Sequence, residues 1–213
     1  IANLTVPARG LAFDTGPGNA LIDAAVVAAT GGTSRMDLDG AAARRGTVDD
    51  ELLDGLLADP YYRQPAPKST GKELFHAGYL QRFPLPARSD DLIATLTALT
   101  AATIADACRA YRIDDLVVSG GGTENPALMS RLRGCLPGVA VRRVDDVGLA
   151  SGDKEAYAFG VLGFLTMHGL PGVRTTFTGA GRAAILGSIT PGASPLRLPE
   201  PVAKMPTTLT LLR

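Results

Sequence analysis

The sequence predicts an α/β fold, because strand-like apolar stretches alternate with helix-like amphipathic stretches along the chain. Two of the strands run directly into glycine-rich turns, and each turn leads into a helix. Hydrophobic residues make up 46% of the 213 residues and charged residues 20%, which is typical of a protein with a substantial core. We therefore expect parallel strands connected by helices.

The charge and cysteine content limit the classes of function. The 21 basic and 21 acidic residues balance, and no basic stripe occurs, which argues against nucleic acid as a partner. There is no signal peptide and no apolar stretch long enough for a membrane span, so we expect a soluble cytoplasmic protein without a membrane partner. Cys108 and Cys135 lie among apolar residues and are predicted to be buried free thiols. Two cysteines so far apart in the sequence do not match a zinc-binding motif, and no metal-ligating residue is predicted.

A strand pattern occupies residues 1–6, and turn residues at 7–10 lead into a second strand at 11–13. Two strands that pair only with each other are marginally stable. Because the sequence begins without Met and inside a strand pattern, we expect it to be the later part of a longer polypeptide.

The later elements follow from helical spacing and from breaking residues. The longest predicted helix, 90–111, has a broad apolar face and Ser89 as its N-cap. The strand at 115–119 is expected to be buried. The remaining predictions are helices at 20–30, 37–46, 48–58, 72–83, 125–136 and 153–168, a loop at 61–71, and short strands at 139–141 and 183–189.

The most informative segment joins the strand at 11–13 to the helix at 20–30. The strand delivers the carboxylate of Asp14, and residues 15–19 form a tight turn with little side-chain bulk. Free N–H groups at a helix start make such a turn an anion site, and a carboxylate at its mouth suits a general base in phosphoryl transfer. Asp14 could equally cap the helix or stabilise the turn, and this segment alone favours neither interpretation.

A second glycine turn, Gly120 to Gly122, follows the strand at 115–119. Three glycines let the backbone approach a ligand without obstruction, and ligands of α/β proteins usually bind at the carboxyl ends of the strands. The alternative interpretation is a flexible turn. Residues 67–72 do not have the order of a P-loop, so Lys68 and Lys72 either touch a phosphate or sugar or are solvated.

Several other polar residues have two interpretations. Tyr61 and Tyr62 either pack in the core or stack on a sugar ring. Asp145 and the residue after it either contact a ligand or form a solvated turn. His76 and His168 are isolated, so ordinary surface or helix-end roles are expected for both.

The chain resembles the 1,6-anhydro-N-acetylmuramic acid kinases, sugar kinases of the actin-like, hexokinase-type ATPase superfamily. The resemblance covers essentially the whole chain and is carried by segments that occur in the family's order, at residues 13–19, 64–73, 119–126 and 151–159. It implies an actin-like, ribonuclease H-like lobe with a mixed sheet flanked by helices. It also implies the conversion of 1,6-anhydro-N-acetylmuramic acid to N-acetylmuramic acid 6-phosphate in cell-wall recycling, with ATP and Mg²⁺.

The resemblance implies a role for individual residues. Asp14 matches the catalytic base that activates the water attacking the anomeric carbon. Asn3 and Glu155 are implied to bind the sugar substrate. The implied nucleotide and phosphate contacts are Gly16, Gly18, Gly120, Gly121, Gly122 and Asn125. The implied partners are the small-molecule sugar and ATP, and a homodimer is left open.

The family's first phosphate motif, a Gly-Thr-Ser-x-Asp-Gly element, does not occur in these residues. We therefore expect residues 1–213 to form the C-terminal lobe of a two-lobed sugar kinase whose N-terminal lobe is absent from this chain. The alternative is a non-catalytic sugar- or nucleotide-binding module, either a degenerate kinase or an inactive fragment.

Overall fold

The computed structural model describes residues 1–202 and 204–210. Residues Ile1–Ser151 form one unit, and a second unit begins at Gly152. The elements of the first unit are β1 (Ala2–Val6), β2 (Leu11–Gly16), α1 (Ala20–Ala29), α2 (Ala41–Arg45), α3 (Asp50–Leu57), α4 (Pro60–Arg63), α5 (Ala77–Leu80), α6 (Ser89–Tyr111), β3 (Asp115–Val118), α7 (Pro126–Cys135) and β4 (Ala140–Arg143). The second unit contains α8 (Lys154–Met167) and α9 (Thr175–Thr178).

Strands β1 and β2 form the expected antiparallel hairpin. The short 3₁₀ turn between them ends at Gly10, whose φ of 59° lies in the left-handed region that favours glycine. The register pairs Leu4 with Phe13 and Asn3 with Asp14. Because Leu4 and Phe13 are buried in the core, Asn3 and Asp14 lie on the opposite face of the hairpin.

Strands β3 and β4 form a second, parallel sheet. The resemblance implied one mixed sheet, whereas the described residues form two separate two-stranded sheets. The expected burial of the strand at 115–119 is wrong, because only Leu116 is buried and Val117 is 42% exposed. A strand in a two-stranded sheet lacks the neighbours that cover both faces of a central parallel strand. The α/β class, with helices and small sheets, is confirmed.

Helix α6 is the centre of the first unit. Its first half packs against α1, α2 and α3 in an apolar cluster that includes Leu96 and Phe75. Its second half packs against the hairpin and α7 through Ala105 and Cys108. Within the described part of the chain, α6 is the one helix that is long enough and apolar enough to cross a membrane. The fold buries 61% of that apolar window, as is typical of a core helix.

Both cysteines are free thiols, as the sequence predicts. Cys108 is buried, and this burial raises the pKa of its thiol to about 11. The expected burial of Cys135 is only partial, because this residue ends α7 at an intermediate exposure.

Several predicted boundaries are wrong. The loop expected at 61–71 begins inside α4, because Asp59 accepts a hydrogen bond from the N–H of Tyr61 and caps that helix. The helix expected at 72–83 is reduced to α5, and turns occupy most of the remainder. The cap residue of α6 is Arg88 and makes no side-chain capping bond, while Ser89 is already helical.

Helix α8 is the longest element of the second unit. This helix confirms the prediction for 153–168, with each end one residue shorter. Phe159 is 72% exposed on it. The strand expected at 183–189 is wrong, because that segment forms bends and irregular chain. His168 follows the end of α8, which agrees with its expected helix-end role.

Candidate functional site

Asp14 lies in β2, which continues to Gly16, so the turn after it is shorter than the sequence predicted. The carboxylate is half-buried and accepts hydrogen bonds on both oxygens. Oδ1 accepts from Nδ2 of Asn3 at 3.0 Å, across the hairpin. Oδ2 accepts from the hydroxyl of Ser69 at 3.1 Å and from the backbone N–H of Thr70 at 2.9 Å. The carboxylate is therefore fixed by three donors from two separate segments.

The backbone of Asp14 is held by the same part of the chain. Its N–H donates to the carbonyl of Lys68 at 3.0 Å, and its carbonyl accepts from the hydroxyl of Tyr61 at 2.7 Å. The outer edge of β2 is thus covered by the loop that follows α4. This loop, residues 64–71, is called the clamp loop below.

The ammonium of Lys68 binds backbone carbonyls of α4. It donates to the carbonyls of Tyr61 at 2.9 Å and Tyr62 at 3.2 Å, and it lies 4.5 Å from the centre of the Tyr61 ring. Burial lowers the pKa of this amine. These contacts tie the clamp loop to α4, so Lys68 is not simply a solvated side chain. Its predicted contact with a ligand stays a prediction.

A cluster of aromatic rings lies next to the clamp loop, which contacts it through Lys68. Tyr61 and Tyr62 pack against Phe75. Tyr61 is buried and belongs to the core, whereas Tyr62 is only partly buried and also lines a cavity of about 360 Å³. Buried Asp59 accepts from the hydroxyl of Tyr79 at 3.1 Å and lies 3.5 Å from Arg82. Burial raises the pKa of Tyr79, and the adjacent Asp59 carboxylate raises it further.

The two glycine turns meet in one cavity of about 270 Å³. Gly18 lines it with a φ of +55°, and a Cβ there would lie 2.8 Å from the backbone N of Ala2. Gly122 lines the opposite turn, where a Cβ would lie 3.1 Å from Oδ1 of Asn19. The hydroxyl of Thr100 on α6 donates to the carbonyl of Gly18 at 2.7 Å and fixes the first turn. The nucleotide and phosphate contacts that the resemblance implies for these glycines stay predictions.

The second turn differs from the first in being open. Gly120 adopts a φ of +96°, and Gly121 begins a short 3₁₀ turn. A Cβ added to either residue would meet nothing within 4 Å. The backbone of these two residues is therefore accessible to a ligand in the cavity.

Asn125 and Gly16 have clear structural roles. Oδ1 of Asn125 is buried and accepts from the N–H groups of Ala127 and Leu128, so it caps α7. Gly16 is buried, and a Cβ there would lie 3.0 Å from Oγ1 of Thr103. The predicted nucleotide contacts of both residues stay predictions.

Glu155 lies in the second unit, exposed in the first turn of α8. Its predicted substrate contact stays a prediction. Asp145, in the first unit, accepts from the N–H and the hydroxyl of Ser151 at 3.2 Å, as in a local turn.

Sequence reasoning missed two groups that contact Asp14. Ser69 and the N–H of Thr70 lie far from Asp14 in sequence, and only the fold brings them to its carboxylate. Their segment is one of those that carry the resemblance, and the sequence predicts for Ser69 or Thr70 a cap of the helix expected at 72–83, whereas both residues donate to Asp14 instead. Asp23 was also unassigned. It is partly buried on α1, which raises the pKa of its carboxyl, while Lys72 acts in the opposite direction.

The chain is thus an α/β protein in which a strand carries a firmly held carboxylate and runs into a cavity formed by glycine turns. Sites of this class suit phosphorylated ligands. The chain matches the family model described as anhydro-N-acetylmuramic acid kinase over residues 1–192. It belongs to the anhydro-N-acetylmuramic acid kinase family.

The chain is similar to proteins named anhydro-N-acetylmuramic acid kinase in three bacteria. The identities are 57% with the protein of Streptomyces coelicolor, 56% with that of Streptomyces avermitilis and 50% with that of Rhodococcus erythropolis. These matches cover 98%, 99% and 98% of this chain, and 55%, 56% and 56% of the respective relatives. The chain therefore spans about half the length of the curated relatives it matches.

Proposed function

We propose that this chain takes part in the ATP-dependent conversion of 1,6-anhydro-N-acetylmuramic acid to N-acetylmuramic acid 6-phosphate, with hydrolytic opening of the anhydro ring. The observation that supports it most directly is the carboxylate of Asp14, fixed by three donors on a strand that runs into a glycine turn. The substrate follows from the family, whose members similar to this chain are named for the anhydro-sugar.

In the proposed reaction, Asp14 takes a proton from a water molecule as that water attacks the anomeric carbon. The bond from this carbon to O6 breaks, and the freed O6 accepts the terminal phosphoryl group of ATP. Water, sugar and ATP thus give the sugar 6-phosphate and ADP. A positioned general base typically contributes ~10²–10⁴-fold to such a rate. The held carboxylate of Asp14 supports this role, because its position does not depend on the substrate.

The cavity between the glycine turns is the proposed nucleotide site. Gly120 and Gly121 present open backbone there, and Gly18 gives the first turn its close approach to β1. Apolar side chains line the same cavity, including Ile104, Leu128 and Leu132, and suit a flat base. Phosphoryl transfer depends mainly on positioning and charge neutralisation, which an accessible backbone at a turn helps to supply.

Mg²⁺ is proposed to arrive with the nucleotide. Among residues 1–202 and 204–210, no group of three acidic, histidine or cysteine side chains is placed to hold a metal ion. Mg²⁺ usually retains several waters and takes one or two carboxylates together with substrate phosphates, so the phosphates of ATP are the proposed main ligands of the ion. The ion supplies charge neutralisation at the phosphates when it is bound.

The remaining assignments belong to the same proposal. Glu155 and Asn3 contribute sugar contacts, and residues 1–213 form the C-terminal lobe of a two-lobed, actin-like kinase. A cytoplasmic location and a role in peptidoglycan recycling fit the substrate, which is a fragment of the cell wall. A homodimer is left open for measurement.

Mass spectrometry tests the proposal directly. The chain is incubated with 1,6-anhydro-N-acetylmuramic acid, ATP and Mg²⁺, both as residues 1–213 and as the product of its complete gene, called the full-gene protein below. We expect a product heavier by one phosphoryl group and one water from at least the full-gene protein. Unchanged sugar in both cases, with retained binding of nucleotide or sugar, would instead support the non-catalytic binding module.

A further inference from the structure

The two oxygens of the Asp14 carboxylate are not equivalent. Oδ2 accepts two hydrogen bonds, from the Ser69 hydroxyl and the Thr70 N–H, whereas Oδ1 accepts one, from Asn3. Each carboxylate oxygen offers about two lone pairs in the plane of the group. Both lone pairs of Oδ2 are therefore engaged, and the described residues leave one lone pair of Oδ1 free.

We propose that Ser69 is a positioning residue, which holds Oδ2 of Asp14 so that the free lone pair of Oδ1 accepts the proton of the attacking water. This inference rests on the proposed function and adds to it the proton-accepting atom and the residue that selects it. Ser69 acts through Asp14, and no contact of Ser69 with the substrate is required.

The position of Ser69 is set by its neighbours. Lys68 anchors the clamp loop on one side, because its carbonyl accepts from Asp14 N–H and its ammonium donates to two carbonyls of α4. Thr70 follows directly and donates through its backbone. The hydroxyl of Ser69 is thus delivered to Oδ2 by backbone contacts on both sides, although the residue itself is exposed.

This arrangement separates a positioning role from a structural one. Removal of the Ser69 hydroxyl leaves the anchors of the clamp loop in place, and an exposed side chain contributes little to stability. The loss of one of the two donors to Oδ2 lets the carboxylate rotate about the remaining bonds. The expected effect is therefore on turnover, and substrate binding should change little.

The kinetic test compares Ser69→Ala, Ser69→Thr and the control Ser130→Ala in the full-gene protein. Ser130 is exposed on α7 and undergoes the same chemical change away from the site. We expect Ser69→Ala to lower kcat ~10-fold, as for the loss of one hydrogen bond to a charged group, with KM for both substrates unchanged. Ser69→Thr restores most of kcat, and Ser130→Ala matches the wild type. A wild-type kcat in Ser69→Ala, or a change confined to KM, would overturn the inference.

A second measurement keeps the inference testable if the proposed function fails. The ¹³Cγ resonance of Asp14, assigned by its loss in Asp14→Asn, reports the hydrogen bonding of the carboxylate without any turnover. We expect this resonance to move in Ser69→Ala, to return in Ser69→Thr and to stay in place in Ser130→Ala. An unmoved resonance in Ser69→Ala refutes the contact, whereas an inactive wild type with a moved resonance refutes only the reaction.

Discussion

Asn3 and Asp14 face each other across the β1–β2 hairpin, and the carboxamide of Asn3 donates to Oδ1 of Asp14 at 3.0 Å. The oxygen of the same carboxamide accepts from the Thr5 hydroxyl at 3.2 Å, which fixes its orientation. Asn3 therefore contacts the proposed base, in addition to any contact that it makes with the sugar. The hairpin is what places both side chains on one face, so the fold of the first strands and the chemistry of the site are directly linked.

The first prediction concerns Asp14 itself. Asp14→Asn keeps the size of the side chain but cannot take up a proton, so we expect kcat to fall ~10²–10⁴-fold. Nucleotide affinity should change little, because the cavity of the glycine turns is lined by other residues. Product formation by mass spectrometry and nucleotide titration by calorimetry measure the two effects. Asp54→Asn, an exposed substitution on α3, is the control and should retain full activity.

A second prediction tests the nucleotide cavity through Gly121. A Cβ at this position meets nothing within 4 Å, so Gly121→Val should leave the fold intact and obstruct only the cavity. We expect nucleotide binding to weaken at least tenfold, equivalent to about 1.4 kcal/mol. Calorimetric titration with ATP checks it. Gly134→Val, at an equally open position on α7, should bind ATP as the wild type does, and unchanged affinity of Gly121→Val would remove this turn from the site.

A third prediction separates two roles of Asn125. Asn125→Ala removes the cap of α7 and should lower the free energy of unfolding by ~1 kcal/mol. Asn125→Asp keeps a good capping residue and should retain the stability of the wild type. If the Asn125 amide N–H group also binds nucleotide, Asn125→Asp weakens that binding alone. Thermal unfolding and ATP titration of the two variants are the measurements, and equal affinity in Asn125→Asp would leave Asn125 with a purely structural role.

Local signals in the sequence were sufficient for part of this structure. The turn at Gly10, the alternation of the hairpin and the proline at the first position of α7 each depend on neighbours in sequence. Asp59 and Pro60 carried a further signal, since an Asp followed by Pro ends one helix and also caps the next. The predicted helix at 48–58 and loop at 61–71 reflect only the helix end, and for this reason α4 was missed.

The contacts of the clamp loop could not be predicted in the same way. The bond from Ser69 to Asp14 and the inward direction of Lys68 both join segments that are distant in sequence. Lysine is usually solvated, so composition alone favours a surface position for Lys68. The exposure of Val117 likewise depends on which strands flank β3. The residues of β3 themselves do not indicate how many strands lie beside it.

The last prediction concerns alkaline pH and the hydroxyl of Tyr61, which donates to the carbonyl of Asp14 at 2.7 Å. Burial raises the pKa of Tyr61 to about 12, and the charge of Asp14 adds to this rise. An unfolded tyrosine loses its proton near a pKa of about 10, so between these values the unfolded chain binds fewer protons than the folded one. The stability that the protonated hydroxyl provides is therefore complete below pH ~10 and is lost as the pH rises towards 12.

Tyr61→Phe removes this contribution and provides the measurement. At pH 7 the variant should be less stable by ~1 kcal/mol, the typical value of one hydrogen bond. Urea unfolding of wild type and variant at a series of pH values should show this difference shrinking above pH ~10, because the wild type alone loses the stabilising hydroxyl proton. Other groups that titrate in this range act in both proteins and cancel in the difference. A stability difference that stays constant through this range would show that the Tyr61 hydroxyl does not hold the backbone of Asp14 in the folded protein.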